Sequence, residues 1–445
     1  MKTDMLNSLE QRGLMDRVLV LHYHEIWLKG GNRNFFVSRL AAAVKHSLAE
    51  FPIESFRHVS ERLLLTPEDD TTIPAMLERL RRIFGLAYIA PARKISPDLS
   101  ELAPAACELM AEKDPQTFAV RAKIADPAFG MNSMALEREL GREILTHLRG
   151  LGKNVQVNLN DPQTTCWVEV IPGAALLYAD RVEGAGGLPA ATGGRLVALL
   201  SGGFDSAVAA YKVMRRGAHV TFVHFFGTPS PSRNSSKPVA IEILRTLTPY
   251  QFSSRLYLVP FDTVQRKIVA SVHERFRVLL YRRMMARIGR EIVRIERALG
   301  IVTGDSISQV ASQTLHNIAA VDRVLDLPVY RPLAGDDKHD IMRVAREIGT
   351  YEISCEPFED CCPRFMPKSP AIFSSPEELD RAEEALDVES LVTEGLAGAS
   401  ALDFKFERGE VSVREALPRR FQKLLEWRKG TSGTLATEPR ASARS

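Results

Sequence analysis

The stretch LVALLSGGFDS, residues 196–206, leaves this chain few folds to choose from. Five apolar residues stop abruptly at a serine and two glycines. An aspartate and a second serine follow, opening the helical segment AVAAYKVMRR that Gly217 closes. A short apolar run bounded by turn residues reads as a buried strand. The rhythm then repeats, because HVTFVHFF, RLYLVPF and GIVTG are further strand candidates with helical segments between them. Strands alternating with helices make an α/β fold, here a doubly wound parallel sheet. Ligands of such sheets sit beyond the carboxyl ends of the strands, which is where SGGFDS falls.

The turn has the chemistry of a phosphate cradle. Gly202 and Gly203 let backbone N–H groups approach an anion, the helix dipole adds to the attraction, and the Ser201 and Ser206 hydroxyls are further donors. No Gly-Lys-Ser/Thr follows and the spacing is not G-x-G-x-x-G, so two common nucleotide motifs are excluded. The alternative is a tight turn that binds nothing. His224 and Phe225 end the next strand beside this loop, and His224 is read either as a structural histidine or as a ligand contact. IVTGDSISQVASQT repeats the device of strand, glycine, acid and serine, with Gly304, Asp305 and Gln313 as exposed candidates.

At 445 residues the chain should hold about three domains. Residues 1–74 open with the strand-like RVLVLHYHE and a helix. Residues 75–180 alternate short strands with amphipathic helices, as a small α+β domain does. A Gly-rich stretch within 181–194 reads as a linker, 195–429 as the α/β domain, and 430–445 as a disordered tail. Net charge is only +3, so nucleic-acid binding would need local patches rather than a global basic field. The start of the chain lacks a secretory h-region, no apolar run nears the roughly 20 residues of a membrane span, and five cysteines do not make a disulfide framework. The expected setting is the cytoplasm, with reduced thiols.

EIWLKGGNRNFF, LLSGGFDS, VHF, YRRMMARI, TGDSISQVASQTL, LPVYRPLAGDDKHDIMRVAREIGTYEIS and FEDCCPRFMPKSP occur in this order. Together they resemble the tRNA 4-thiouridine synthetases, or tRNA sulfurtransferases, in the form without a C-terminal rhodanese domain. The resemblance implies an N-terminal ferredoxin-like domain, an RNA-binding THUMP domain and a PP-loop ATP pyrophosphatase domain. It implies that ATP is held by Leu199, Leu200, Ser201, Gly202, Gly203, Asp205, Ser206, His224, Phe225, Arg282, Gly304 and Gln313. Asp205 has two roles open to it, orienting the loop or holding a phosphate-bound Mg²⁺; no set of protein metal ligands is assigned. The implied reaction adenylates uracil O4 and then transfers persulfide sulfur, with uridine 8 of tRNA as the implied target. The expected partners are tRNA and a cysteine desulfurase or other sulfur donor, with a homodimer left open and no membrane. A link to thiamine synthesis is also open.

Sulfur needs a thiolate. Cys361 is the first choice of carrier, Cys362 the second, and Cys355 a resolving partner. Glu359 and Asp360 would raise a neighbouring thiol's pKa and so oppose its activation. Plotted at 100° per residue, RRMMARIGREIVRIERALG puts Arg283, Arg287, Arg290, Arg294 and Arg297 opposite an apolar face. That row reads either as a solvated surface or as phosphate contacts to tRNA. Two other functions fit less of the sequence. One is an adenylating enzyme with a small-molecule acceptor, which has no use for an RNA-binding domain; the other is an RNA-binding protein with a disused loop.

Overall fold

The computed structural model describes residues 17–227, 235–357 and 370–434. It divides into two compact units, Met1–Pro189 and Ala190–Ser445.

The first unit is built as β1 (Arg17–His22), α1 (Arg33–Ser47), β2 (Ile53–Val59), β3 (Arg62–Pro67), α2 (Ile73–Leu80) and β4 (Tyr88–Ile95). It continues with α3 (Leu99–Lys113), β5 (Thr117–Ile124), α4 (Ser133–Gly150), β6 (Gln156–Val157), β7 (Thr164–Ile171), β8 (Ala174–Tyr178) and β9 (Val182–Glu183). Among the described residues its nine strands form one sheet, in the order β2-β3-β1-β4-β8-β7-β5-β6, with β9 added to β4. In α4, Leu136, Leu140, Ile144 and Leu148 recur every four residues and are fully buried, packing with α3 against β5, β7 and β8.

The Gly-rich stretch is not a free linker. β9 pairs with β4, and Gly184 and Gly186 donate to the carbonyls of Ala87 and Leu86. A Cβ on Gly184 would stand 2.3 Å from the Leu86 carbonyl oxygen. These glycines therefore serve a close backbone approach, and the segment up to Pro189 belongs to the first unit.

The second unit carries β10 (Arg195–Leu199), α5 (Phe204–Arg215), β11 (His219–Phe226), α6 (Lys237–Gln251), β12 (Ser253–Pro260), α7 (Asp262–Ser271) and α8 (Arg277–Glu296). After these come β13 (Ile301–Val302), α9 (Leu315–Asp322), β14 (Val329–Tyr330), α10 (Lys338–Glu347), α11 (Tyr351–Cys355) and α12 (Pro376–Glu383). The unit ends with α13 (Val388–Ala397), β15 (Ser400–Glu407), β16 (Glu410–Glu415) and α14 (Arg419–Thr434). The sheet order is β14-β13-β10-β11-β12-β15-β16. Five strands are parallel, as expected from the sequence, while β15 and β16 add an antiparallel edge.

From β10 the chain steps through β11 and β12 to one side and then returns to β13 on the other. The crevice outside the ends of β10 and β13 is therefore the switch point where such sheets bind ligands. Behind it lies α8, whose Leu280, Met284, Ile288 and Ile292 are fully buried in the core. Helix α14 runs through Gly430, so the expected start of the tail falls inside a helix. No described helix is long and apolar enough to cross a membrane.

Candidate active site

The SGGFDS loop leaves β10 at Leu199 and enters α5 at Phe204. Its serines hold the turn together. The Ser201 N–H donates to Ser206 Oγ at 3.0 Å, Ser206 Oγ donates to the Gly203 carbonyl at 3.0 Å, and the Gly203 N–H donates to Ser201 Oγ at 3.2 Å. The hydroxyls expected to reach a phosphate are thus spent inside the loop. What faces outward is backbone. Gly203 is the N-cap of α5 and no side chain caps the helix, which leaves its first amides for an anion. Gly203 sits in ordinary extended backbone, and a Cβ there would come no nearer than 3.5 Å to Ser201 Oγ. Its lack of a side chain keeps the amides open rather than permitting the turn.

Asp205, in the first turn of α5, is held by Lys338 Nζ at 2.8 and 2.9 Å and by Gln309 Nε2 at 3.2 Å. Lys338 also stands 4.3 Å from the Phe204 ring centre. This lysine is not among the candidates drawn from the sequence. Its signal was available in DDKHD, a cation in the first turn of a helix, where the dipole disfavours positive charge.

The second glycine–acid loop, after β13, does something different. Asp305 was expected at the surface and is instead buried. Arg282 Nη2 donates to both of its oxygens at 2.7 and 2.6 Å, Thr303 Oγ1 at 2.8 Å, and Arg331 Nε and Gln313 Nε2 at 3.2 Å. Burial alone would raise its pKa; Arg282, the Thr303 hydroxyl and Arg331 outweigh burial and hold it below the usual value. Gly304 has a steric reason to be glycine, because a Cβ there would lie 2.6 Å from the Ser206 nitrogen. The two loops cross backbone on backbone.

His224 is fully buried, with Nδ1 2.9 Å from the Leu200 carbonyl and Nε2 2.8 Å from Ser236 Oγ. A carbonyl only accepts, so Nδ1 carries the proton. The ring is committed to the fold, and Phe225 packs edge-on to Phe261 in the core. Either residue can meet a ligand only through its backbone. Leu200 is buried and Leu199 partly so. Gln313 keeps one open valence: its Oε1 is out of solvent and lacks a partner among the described residues. A buried acceptor of this kind suits a ligand amino group. Uncapped amides at the switch point, with Lys338 on the neighbouring Asp205, fit a phosphate group. Among the described residues no group of three His, Cys, Asp or Glu side chains could hold a metal ion.

Residues 191–388 match the family described as "Thiamine biosynthesis protein (ThiI)", residues 18–90 the "ThiI ferredoxin-like domain", and residues 95–180 the "THUMP domain". A "Probable tRNA sulfurtransferase" of Caldanaerobacter subterraneus is 38% identical over 85% of this chain and 97% of its own length. One of Moorella thermoacetica is 38% identical over 86% and 97%. The chain belongs to the tRNA sulfurtransferase family. A solved 4-thiouridine synthetase–RNA complex with bound ATP is 33% identical, covering 87% of this chain and 99% of that one, with a TM-score of 0.75. A protein from Pyrococcus horikoshii, 21% identical with a TM-score of 0.56, covers 75% of this chain and 99% of its own and shares the fold.

Within this family member the cysteines separate clearly. Cys107 and Cys166 are buried in the first unit, and burial pushes the Cys166 thiol up to about 12, far from thiolate. Cys355 ends α11 and is exposed. Cys361 and Cys362 lie outside the described residues.

The arginine row on α8 is not a solvent-facing stripe. Arg283 is wholly buried and bonds Asp380, Glu383 and the Ala320 carbonyl, and Arg287 makes a two-pronged pair with Glu383 at 2.6 and 2.9 Å. Arg290 is mostly buried beside Glu291. Arg294 and Arg297 are exposed, Arg294 pairing with Glu291 and Asp326 and Arg297 capping the helix. Acidic α12 covers the face that periodicity assigned to water. The first unit also holds a cavity of about 300 Å³, where Arg181 lies 3.3 Å from the Trp167 ring centre and His22 stacks on Tyr88.

Proposed function

We propose that this chain is an ATP-dependent tRNA sulfurtransferase that replaces O4 of a tRNA uridine, at position 8 by family resemblance, with sulfur. The observation that carries the reading is the uncapped start of α5, set at the switch point of the sheet, with Lys338 and Gln309 on its Asp205. Relatives named tRNA sulfurtransferases, and a similar structure described with RNA and ATP, support the choice of substrates.

ATP supplies an adenylyl group that turns the uracil oxygen, a poor leaving group, into a good one. The residues supply position and charge. The first amides of α5 are the donors for the polyphosphate, and Lys338, already 2.8 Å from Asp205, offsets its charge. Gln313 Oε1 is the acceptor for the base, and Arg282 keeps that loop in place through Asp305 and the Ser312 carbonyl. Magnesium would arrive on the phosphates, and Asp205 is the loop's own carboxylate for it. The persulfide is carried by Cys361 or Cys362. Its terminal sulfur bonds C4 as the C4–O bond to AMP breaks. Cys355 is then the thiol that takes the remaining sulfur–sulfur bond, releasing the thiocarbonyl and closing a disulfide. A cysteine desulfurase would deliver the outer sulfur already at the persulfide level, with a thiol reductant then reopening the disulfide; sulfide would load the carrier by opening that disulfide itself, which frees Cys355 as a thiol.

Mass analysis of tRNA nucleosides, with ATP and a sulfur source, tests the reading. Wild-type protein should form 4-thiouridine, and Asp205→Ala should lose at least about 100-fold of that rate while keeping its tRNA affinity. Undiminished thiolation by the variant would overturn the assignment.

A further inference from the structure

Two helices begin side by side at the crevice. Phe204 is the first residue of α5 and Lys338 the first of α10. The Lys338 ammonium lies 4.3 Å from the Phe204 ring centre while it bonds both oxygens of Asp205. The positive ends of two helix dipoles thus meet at a lysine, where a cation is disfavoured. The acids near it in sequence are otherwise engaged. Asp336 pairs with Lys212, Asp337 caps α10 by accepting the Asp340 N–H at 3.0 Å, and Asp340 pairs with Arg343 at 3.3 Å. What holds Lys338 comes from α5, not from its own helix.

The ion pair by itself is a weak seat. The Lys338 and Asp205 side chains are 46% and 24% exposed, and pairs so open to water and salt are screened. The ring adds what the carboxylate lacks. An aromatic face attracts a cation through its quadrupole but carries no net charge, so it holds the ammonium without neutralising it. The ring is itself braced. Tyr351, at the start of α11, packs on it at 5.3 Å between centres, and Arg346 lies 4.3 Å from the Tyr351 ring centre. Phe204 is only partly buried, so core filling alone does not account for a ring at this position.

We propose that Phe204 is a positioning residue that seats Lys338 at the start of α5 with its charge free for the ATP polyphosphate. The inference deepens the ATP reading and rests on it. An anion on the first amides of α5 lies next to the seat, because Phe204 and Asp205 form that first turn. Without the ring, Lys338 is shared between Asp205 and water, and each binding event has to order it again.

Equilibrium binding of ATP with magnesium, read by calorimetry, tests the seat, with a thermal melt to show that each variant is folded. Phe204→Leu keeps apolar bulk and loses the π face, so its Kd should rise about fivefold. Phe204→Tyr should bind within about twofold of wild type. Lys338→Met should raise the Kd about tenfold. A residue that acts through Lys338 has no effect once Lys338 is gone. Adding Phe204→Leu to Lys338→Met should therefore change the Kd by less than about twofold. A ring that merely shapes the turn gives the same loss in both backgrounds, and that result overturns the seat. So does an unchanged Kd in folded Phe204→Leu or in Lys338→Met. Should Phe204→Leu not fold, Phe204→Met takes its place in the same cycle. A wild-type chain without ATP affinity removes the functional reading and the seat together; a wild type that binds ATP beside additive losses removes the seat alone.

Discussion

The loops after β10 and β13 are spelled almost alike, SGGFDS and TGDS, yet they hold their aspartates in opposite ways. Asp205 is partly exposed and is met by one lysine and one glutamine. Asp305 is buried, gripped by two arginines, a threonine and a glutamine. Gly203 leaves open backbone, whereas Gly304 leaves only the room another backbone needs. One loop leaves its amides open and the other braces it. A glycine and an acid at a strand end therefore specify a close approach; what approaches is decided by the partners.

The largest test exchanges the acids. Asp305→Asn keeps the shape but strips the charge that Arg282 and Arg331 face, and breaking a buried pair of this kind costs about 3–5 kcal/mol. Urea melts should show that loss for Asp305→Asn and almost none for Asp205→Asn, whose damage falls on activity. Acidity sharpens the contrast. The lowered pKa of Asp305 contributes stability that is whole above its unfolded value of 3.8 and is withdrawn as pH falls through the folded value. The gap between wild type and Asp305→Asn should thus narrow below that pH. Equal melts for the two asparagine variants at neutral pH would erase the distinction.

What could be read in the sequence follows the same line. The strand–turn–helix at 196–206 and the parallel sheet were legible because apolar runs and turn residues are local signals. The buried state of Asp305 was not, because it depends on Arg331, which meets it only through β14. The arginines of α8 failed for a related reason. A period of 3.6 finds the face turned from the core but not what covers it, and here Asp380 and Glu383 of α12 do. Lys338 went unread since its partner, Asp205, is 133 residues away. The antiparallel β15 and β16 did not stand out because SALDFKFE and EVSVRE set charged residues among the apolar ones, although β15 is as long as β11.

The glycines come next in size. Gly304→Ala forces a methyl group onto the Ser206 backbone, which should cost about 1–3 kcal/mol as overpacking does. Gly203→Ala meets nothing closer than ordinary contact and should change stability by no more than about 0.5 kcal/mol. Its methyl group would instead sit beside the amides of α5 and raise the KM for ATP. A thermal melt and an ATP titration on each variant measure both effects. If Gly203→Ala proved the more destabilising, the open-loop description would be wrong.

The serines give the smallest and finest comparison. Ser206 Oγ accepts from Ser201 N–H and donates to Gly203 O, and Ser306 Oγ donates to the Asp336 carbonyl at 3.0 Å. Each replacement by alanine should cost about 1 kcal/mol, the usual worth of such bonds, so stability alone cannot tell the loops apart. Affinity can. Ser206 sets the orientation of the peptide groups that open α5, so Ser206→Ala should raise the KM for ATP about fivefold. Ser306 ties the bracing loop to the turn before Lys338 and touches none of those amides, so Ser306→Ala should shift the KM by less than about twofold. Equal shifts would mean that the turn at Ser306 orients the phosphates as much as the turn at Ser206 does, and the division between an open turn and a bracing one would have to be given up.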